Sequence, residues 1–232
     1  MKFLEGSNPS PSAMQSSTGF KQHRVFSWMY PRMAASMMAR GQAEHREELL
    51  AGLQGRVIEV GAGNGLNFGC YPATVTEVVA IEPEHALRRL AEKAAVSAPI
   101  PVTVIDGVAE SLPAGDGEFD AGIASLVLCS VGDLPRSLSE LHRVIRPGGE
   151  LRFYEHVAAE DGSTASRFQR VMDATIWPTI GAGCHLHRPT VEVMGEAGFV
   201  VEECEVVALG SGPGARVMSS ILPMVLGRAR RR

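Results

Sequence analysis

The stretch Val57-Ile58-Glu59-Val60-Gly61-Ala62-Gly63-Asn64-Gly65 constrains the fold more than any other. An apolar, β-branched run ends abruptly in three glycines, each one residue apart. Such a run reads as a buried strand, and the glycines as a tight turn leading towards a helix. A turn of this kind lets a ligand approach backbone amides closely, or it serves only as a compact corner. Other parts of the chain must supply the ligand's identity.

Strand and helix signals alternate on both sides of the turn. Arg56–Val60, Val75–Ile81, Val102–Ile105, Ala121–Leu128 and Glu150–Tyr154 read as strands, with Phe199–Ala208 as a later one. Glu84–Ser97, Leu134–Ile145, Ser163–Ile176 and Pro189–Ala197 read as helices. Pro147-Gly148-Gly149 ends the second of these helices. Alternation of this type predicts an α/β fold with a mostly parallel sheet covered on both faces. Phe26, Met29, Met33 and Met37 recur at helical spacing within 20–52, and Pro31 is expected to break or kink that segment.

Residues 1–19 are rich in Ser and Pro and read as a flexible tail. Residues 20–52 read as a helical cap, 53–210 as the main domain with an insertion at 159–188, and 211–232 as a second tail. That last tail is apolar and then basic. It suits a solvated end, with peripheral contact to anionic lipid as the alternative. The net charge of −4 offers no electrostatic case for nucleic acid. Four scattered cysteines without a CxxC pair suit reduced thiols and a cytoplasmic setting. No apolar run reaches the length of a membrane span.

The glycine turn excludes some ligands. A phosphate-binding P-loop needs a following Lys-Ser or Lys-Thr, which is missing here. A dinucleotide fingerprint needs Gly or Ala at its third position, where Leu66 stands. Glu82 ends the second strand about twenty residues after the turn, where a carboxylate can take both hydroxyls of a ribose. The pair indicates an adenosine with an unmodified ribose, leaving NAD and S-adenosylmethionine open.

Further motifs separate these two. Asp106-Gly107-Val108-Ala109-Glu110-Ser111-Leu112-Pro113, Gly117-Glu118-Phe119-Asp120 and Arg143-Val144-Ile145-Arg146-Pro147-Gly148-Gly149 follow in order. Together with the turn and Glu82 they resemble the class I S-adenosylmethionine-dependent methyltransferases of the ubiquinone/menaquinone-methyltransferase-like kind. The resemblance covers roughly 55–207. It implies a Rossmann-like, seven-stranded, mostly parallel sheet with helices on both faces and one antiparallel strand near the C-terminal edge. It implies S-adenosylmethionine as cofactor and S-adenosylhomocysteine as product. Glu59, Gly61, Ala62, Gly63 and Asn67 would then lie by the amino-acid portion of the cofactor. Glu82 and Pro83 would lie by the ribose, Gly107, Val108 and Ala109 by the adenine, and Leu126 by the methionyl part. Many relatives carry Asp where Val108 stands, so the adenine amine needs another acceptor, Glu110 or water.

Leu126-Val127-Leu128-Cys129-Ser130-Val131, Phe153-Tyr154-Glu155-His156-Val157 and Gly183-Cys184-His185-Leu186-His187-Arg188 narrow the resemblance. They look like the methyltransferase-like family that includes the mammalian membrane-associated thiol S-methyltransferases. This implies methyl transfer to a small thiol. Mammalian members carry an N-terminal hydrophobic anchor; this sequence shows no such run, so a soluble form is expected. The rivals are a quinone-ring C-methyltransferase, a phospholipid N-methyltransferase and a non-catalytic S-adenosylmethionine-binding regulator.

In-line displacement needs alignment of acceptor and methyl group and exclusion of water. His156, at a strand end, is the candidate base, equally readable as a histidine bonded to backbone. Glu155 is expected to point the other way. Cys129 reads as a packed small residue rather than a nucleophile. Cys184, His185 and His187 crowd together without a separated partner pair, so no metal is expected. Phe26, Met29 and Tyr30 from the cap, with Trp177 and His185 from the insertion, are the candidate acceptor-pocket residues.

Overall fold

A computed structural model describes residues 20–208 and 219–232. Residues 1–19, expected as a tail, and 209–218 lie outside the described residues. The sheet has seven strands: β1 (Gly55–Val60), β2 (Val75–Ile81), β3 (Val102–Ile105), β4 (Phe119–Ser125), β5 (Ile145–His156), β6 (Phe199–Val207) and β7 (Met224–Arg231). Their order is β3-β2-β1-β4-β5-β7-β6. The first five strands pair in parallel, and β7 runs antiparallel between β5 and β6.

Seven α-helices accompany the described strands: α1 (Arg24–Met37), α2 (Ala43–Leu50), α3 (His85–Ala95), α4 (Leu134–Val144), α5 (Thr164–Asp173), α6 (Trp177–Ile180) and α7 (Thr190–Glu196). Alternation along each strand sends side chains to two separate cores. Val57, Val78, Ala80, Ala121, Ile123 and Tyr154 pack with Leu49 and Leu50 of α2 and Ala91 of α3. Ile58, Val60, Val79, Ile81, Ala124 and Phe153 pack with Leu138 and Leu141 of α4 and Met194 of α7. This is the arrangement of a sheet covered on both faces. No described helix is long and apolar enough to cross a membrane.

Two expectations are corrected here. Helix α1 runs through Pro31 without a break. The irregularity comes later, as a π-helical turn at Met38–Gln42, where Gly41 adopts φ of 110°. The 211–232 segment is not a tail at its end: residues 224–231 form the antiparallel strand. Met224, Val225 and Ala229 are buried in the sheet's two cores. The arginines that suggested a basic tip are held at the edge instead. Arg228 Nη2 lies 2.6 Å from Glu203 Oε1, and Arg230 Nε lies 2.6 Å from Glu202 Oε1. Four arginines in the last five residues disguised an alternating strand, because the partners of Arg228 and Arg230 sit on β6 and Arg231 bonds the carbonyls of Arg143 and Ile145, all outside their own stretch of sequence.

Gly227 makes this insertion possible. A β-carbon there would collide with the carbonyl oxygen of Glu203 and come within 2.7 Å of the Phe153 ring. Gly227→Val is therefore expected to destabilise the protein by about 3 kcal/mol, the upper range for overpacking a core. Urea unfolding of the two proteins checks this, and equal midpoints would show that β7 does not carry the sheet edge.

Candidate functional site

The C-terminal ends of β1, β2 and β4 open into a cavity of about 550 Å³. Its floor begins at the glycine turn. Gly61 and Ala62 donate their N–H groups to the Ile81 carbonyl, at 2.8 and 3.1 Å. Gly61, Gly63 and Gly65 all adopt positive φ. At Gly61 a β-carbon would also collide with Val127 of the turn after β4. Only glycine allows both the backbone conformation and this approach. The chain then makes a single 3₁₀ turn at Phe68–Cys70 in place of a full helix. No long helix N-terminus faces the cavity from this turn, which suits a ligand without phosphate there.

Glu82 stands beside the turn and lines the cavity. Its Oε2 accepts the Gly63 N–H at 2.7 Å and its Oε1 accepts the Glu84 N–H at 2.8 Å. Burial pushes this carboxyl up to about 7, against the pull of those two amides. Each oxygen keeps a further lone pair for a hydroxyl donor. Pro83, Gly107, Val108 and Ala109 continue the same wall. Glu110 also lines it, but its Oε1 already accepts from Gly132 N at 2.7 Å and Asp133 N at 3.2 Å. Glu110 thus ties the Val108 wall to the loop before α4.

Leu126 lines the opposite side with φ of 58°, a costly conformation for a side chain of its size. The following turn is held by Glu155, which is fully buried. Its Oε1 accepts from Val127 N and Leu128 N, both at 2.9 Å. Burial pushes the Glu155 carboxyl up to about 7 despite these bonds. Arg188 adds a bond from Nη1 to the Leu128 carbonyl at 3.0 Å.

The cap closes the top. Phe26 and Tyr30 line the cavity, with their rings 5.2 Å apart. Tyr30 lies over Gly63, and burial raises its phenol. The segment before α1 straps onto the end of β2: His23 N bonds Glu84 Oε2 at 2.7 Å and Gln22 Nε2 bonds the Pro83 carbonyl at 2.9 Å. Phe20, Lys21 and His23 line the mouth, and Gly181, Ala182 and Gly183 supply the wall from the insertion.

Several expected residues lie elsewhere. Glu59, Ala62 and Asn67 are buried beneath the turn and do not line the cavity. Asn67 Nδ2 donates to Glu59 Oε1 at 2.8 Å, and the Tyr71 hydroxyl donates to Glu59 Oε2 at 2.7 Å. Arg46, which the sequence reading missed, donates from Nη1 to Asn67 Oδ1 at 2.6 Å and to Ser125 Oγ at 3.1 Å. Met29 points outward and Trp177 packs with Cys129, Cys184 and Leu186. His185 contributes its backbone N–H to the Cys129 carbonyl at 2.8 Å, and its ring does not line the cavity. His156 does not line it either. Strand alternation puts Glu155 and His156 on opposite faces of the sheet, and it is Glu155 that reaches the turn after β4. Burial pushes His156 down to about 4, and its Nδ1 is enclosed without a hydrogen-bond partner among the described residues. Position therefore lends the base assignment no support.

Comparison with known proteins agrees with this geometry. Residues 58–153 match the family described as "Methyltransferase domain". Human thiol S-methyltransferase TMT1B is 37% identical over 155 residues, which are 65% of this chain and 63% of that protein. Human thiol S-methyltransferase TMT1A is 33% identical over 170 residues, 68% of each chain. The phosphatidylethanolamine N-methyltransferase of Cereibacter sphaeroides is 30% identical over 152 residues, 65% of this chain and 72% of that one. The match thus spans less than two thirds of the human and rat TMT1B proteins, 63% and 59%. Among solved structures, geranyl diphosphate methyltransferase in complex with SAM superposes with a TM-score of 0.67 at 17% identity. The alignment covers 85% of this chain and 90% of that one, a likeness of fold.

Proposed function

The chain belongs to the class I S-adenosylmethionine-dependent methyltransferases, and from that membership we propose that it methylates the sulfur of a small, apolar thiol. The bound cofactor would supply an electrophilic methyl group on a sulfonium. Glu82 would take the ribose hydroxyls, and the backbone from Gly107 to Ala109 would face the adenine. Gly61, Gly63 and Leu126 would border the amino-acid end. Glu59, Ala62 and Asn67 would act from below, by fixing the turn.

The observation that carries the acceptor class is the wall facing the cofactor side. Phe26, Tyr30, Val127, Val131 and the run Gly181–Gly183 make it largely apolar. Lys21 is the one lysine or arginine among the described lining residues. A phospholipid phosphate would have little to hold it there. Resemblance to two human thiol S-methyltransferases points the same way. The cap and the insertion would exclude water and align the acceptor, which is most of what this displacement requires. A thiol reacts as thiolate, with an ordinary pKa of about 8.5. With His156 outside the cavity lining, the thiolate fraction of the acceptor itself would set the pH dependence.

Turnover of S-adenosylmethionine with a panel of small thiols, a demethylated quinol and phosphatidylethanolamine, analysed by mass spectrometry, tests this. S-methylated products are expected, with kcat/KM for the thiol rising with pH towards about 8.5. His156→Ala is expected to leave that profile unchanged. No S-methyl product across the thiols would overturn the proposal, and a C- or N-methylated product would favour the quinone or phospholipid reading. S-adenosylhomocysteine binding without turnover on any acceptor would favour a regulator.

A further inference from the structure

We propose that Cys129 and Cys184 form a reversible dithiol–disulfide site just behind the wall of the cavity, oxidised by low-molecular-weight disulfides. The two residues are 55 positions apart in sequence, yet their Sγ atoms lie 3.4 Å apart. Cys129 belongs to the turn after β4 and Cys184 to the segment after α6. Both are buried, Cys129 at 3% exposure and Cys184 at 9%. Trp177, Met172 and Leu186 cover them. The backbones are already tied, since the His185 N–H meets the Cys129 carbonyl. Bond formation would bring the sulfurs from 3.4 Å to about 2.05 Å.

The pair is chemically unequal. The sulfur–sulfur contact and burial hold the Cys129 thiol well above the ordinary range. The same contact pulls Cys184 down to about 7. Cys184 is also the more exposed of the two. It is therefore the attacking thiol. Its thiolate would attack one sulfur of a small disulfide, forming a mixed disulfide and releasing one thiolate. Cys129 would then attack Sγ of Cys184, passing its proton to the second thiolate as that leaves. Two protein thiols are oxidised to one disulfide, and one small disulfide is reduced to two thiols.

The position gives the bond a consequence. Ser130 and Gly183, next to the two cysteines, both line the cavity. Oxidation would clamp the insertion to the turn after β4 and leave the Glu82 side untouched. The site stands on the pair's own geometry and holds whichever acceptor the enzyme methylates.

The test uses the full chain carrying Cys70→Ser and Cys204→Ser, so that only the pair remains. The folded protein is treated with bis(2-hydroxyethyl) disulfide, alkylated and mapped by mass spectrometry without reduction. Loss of both thiols, a cross-linked peptide joining residues 129 and 184, and full reversal by dithiothreitol are expected. Adding Cys129→Ser should stop the reaction at a mixed disulfide on Cys184. Adding Cys184→Ser should leave Cys129 unreacted. A cooperative thermal transition before and after oxidation shows that the folded state reacted. Two free thiols, or single adducts without a cross-link, in protein that retains that transition would overturn the proposal. So would a cross-link found only after the transition is lost.

Discussion

Glu82→Ala is expected to weaken S-adenosylhomocysteine binding about a hundredfold. On the proposed role of Glu82, two ribose hydrogen bonds to a charged acceptor would be lost, at about 1.5 kcal/mol or more each, and about 3 kcal/mol is a little over two decades in affinity. The effect depends on pH because burial holds the Glu82 carboxyl at about 7. Ribose hydroxyls donate most strongly to the ionised form, so binding favours loss of the proton. Below pH 7 that proton must leave on binding, and affinity falls by up to tenfold per pH unit. Above pH 7 the carboxylate is already ionised and affinity levels off. Calorimetry at pH 6 and 8, in buffers of different ionisation enthalpy, reads both effects. Wild type should release a proton at pH 6 and bind several-fold tighter at pH 8. Glu82→Gln should bind weakly at both. Equal affinity in wild type and Glu82→Ala would remove Glu82 from the site.

Arg46→Met is expected to lower stability by about 3 kcal/mol, with a fall in melting temperature of roughly 6–12 °C. Arg46 is 3% exposed and sits under the glycine turn. It donates to Asn67 and Ser125, while Asn67 and Tyr71 donate to Glu59. Burial raises the Glu59 carboxyl, and the two hydrogen bonds and the nearby Arg46 charge pull it back. Methionine keeps the stem's apolar packing and removes the charge. Asn67 and Ser125 then lose a donor, and Glu59 loses a compensating cation in a medium that screens poorly. Arg46 and Glu59 act through Asn67, so the loss falls at the lower end for a broken buried pair. The double variant Arg46→Met/Glu59→Gln should therefore lose at least 1 kcal/mol less than the sum of the single variants. Chemical unfolding of all four proteins measures this, and strict additivity would show that the two charges do not interact.

The frame of the molecule was legible in the sequence because it rests on local rules. Apolar runs of strand length, the Gly61–Gly65 turn and the stop at Pro147–Gly149 depend on neighbours within a few residues. Glu82 was legible because it follows directly on the apolar run of the second strand, about twenty residues after the glycine turn. Gly61, Gly63, Glu82, Pro83, Gly107–Ala109 and Leu126 all line the cavity as a result. Phe26 and Tyr30 were legible as candidate pocket residues of the cap, and both line the cavity.

The remainder depended on which distant residues meet. His156 and Glu155 are adjacent in sequence, and only the sheet's facing decides which of them reaches the turn after β4. Glu59 and Asn67 belong to the turn, but Arg46 from α2 draws them into a buried network below it. The arginines of β7 looked like a solvated tip until Glu202 and Glu203 of β6 lay beside them. Cys129 and Cys184 show no CxxC spacing, yet the fold puts their sulfurs in contact. The sequence by itself determined the layered α/β fold and the half of the cavity built on the strand ends, since strand period and turn chemistry are local, while the cofactor class came from the resemblance of its motifs to a known family. Only the tertiary structure decided the cap-and-insertion side of the cavity and the buried polar network, since hydrogen bonds and van der Waals contacts act over a few ångströms in space and take no account of separation along the chain.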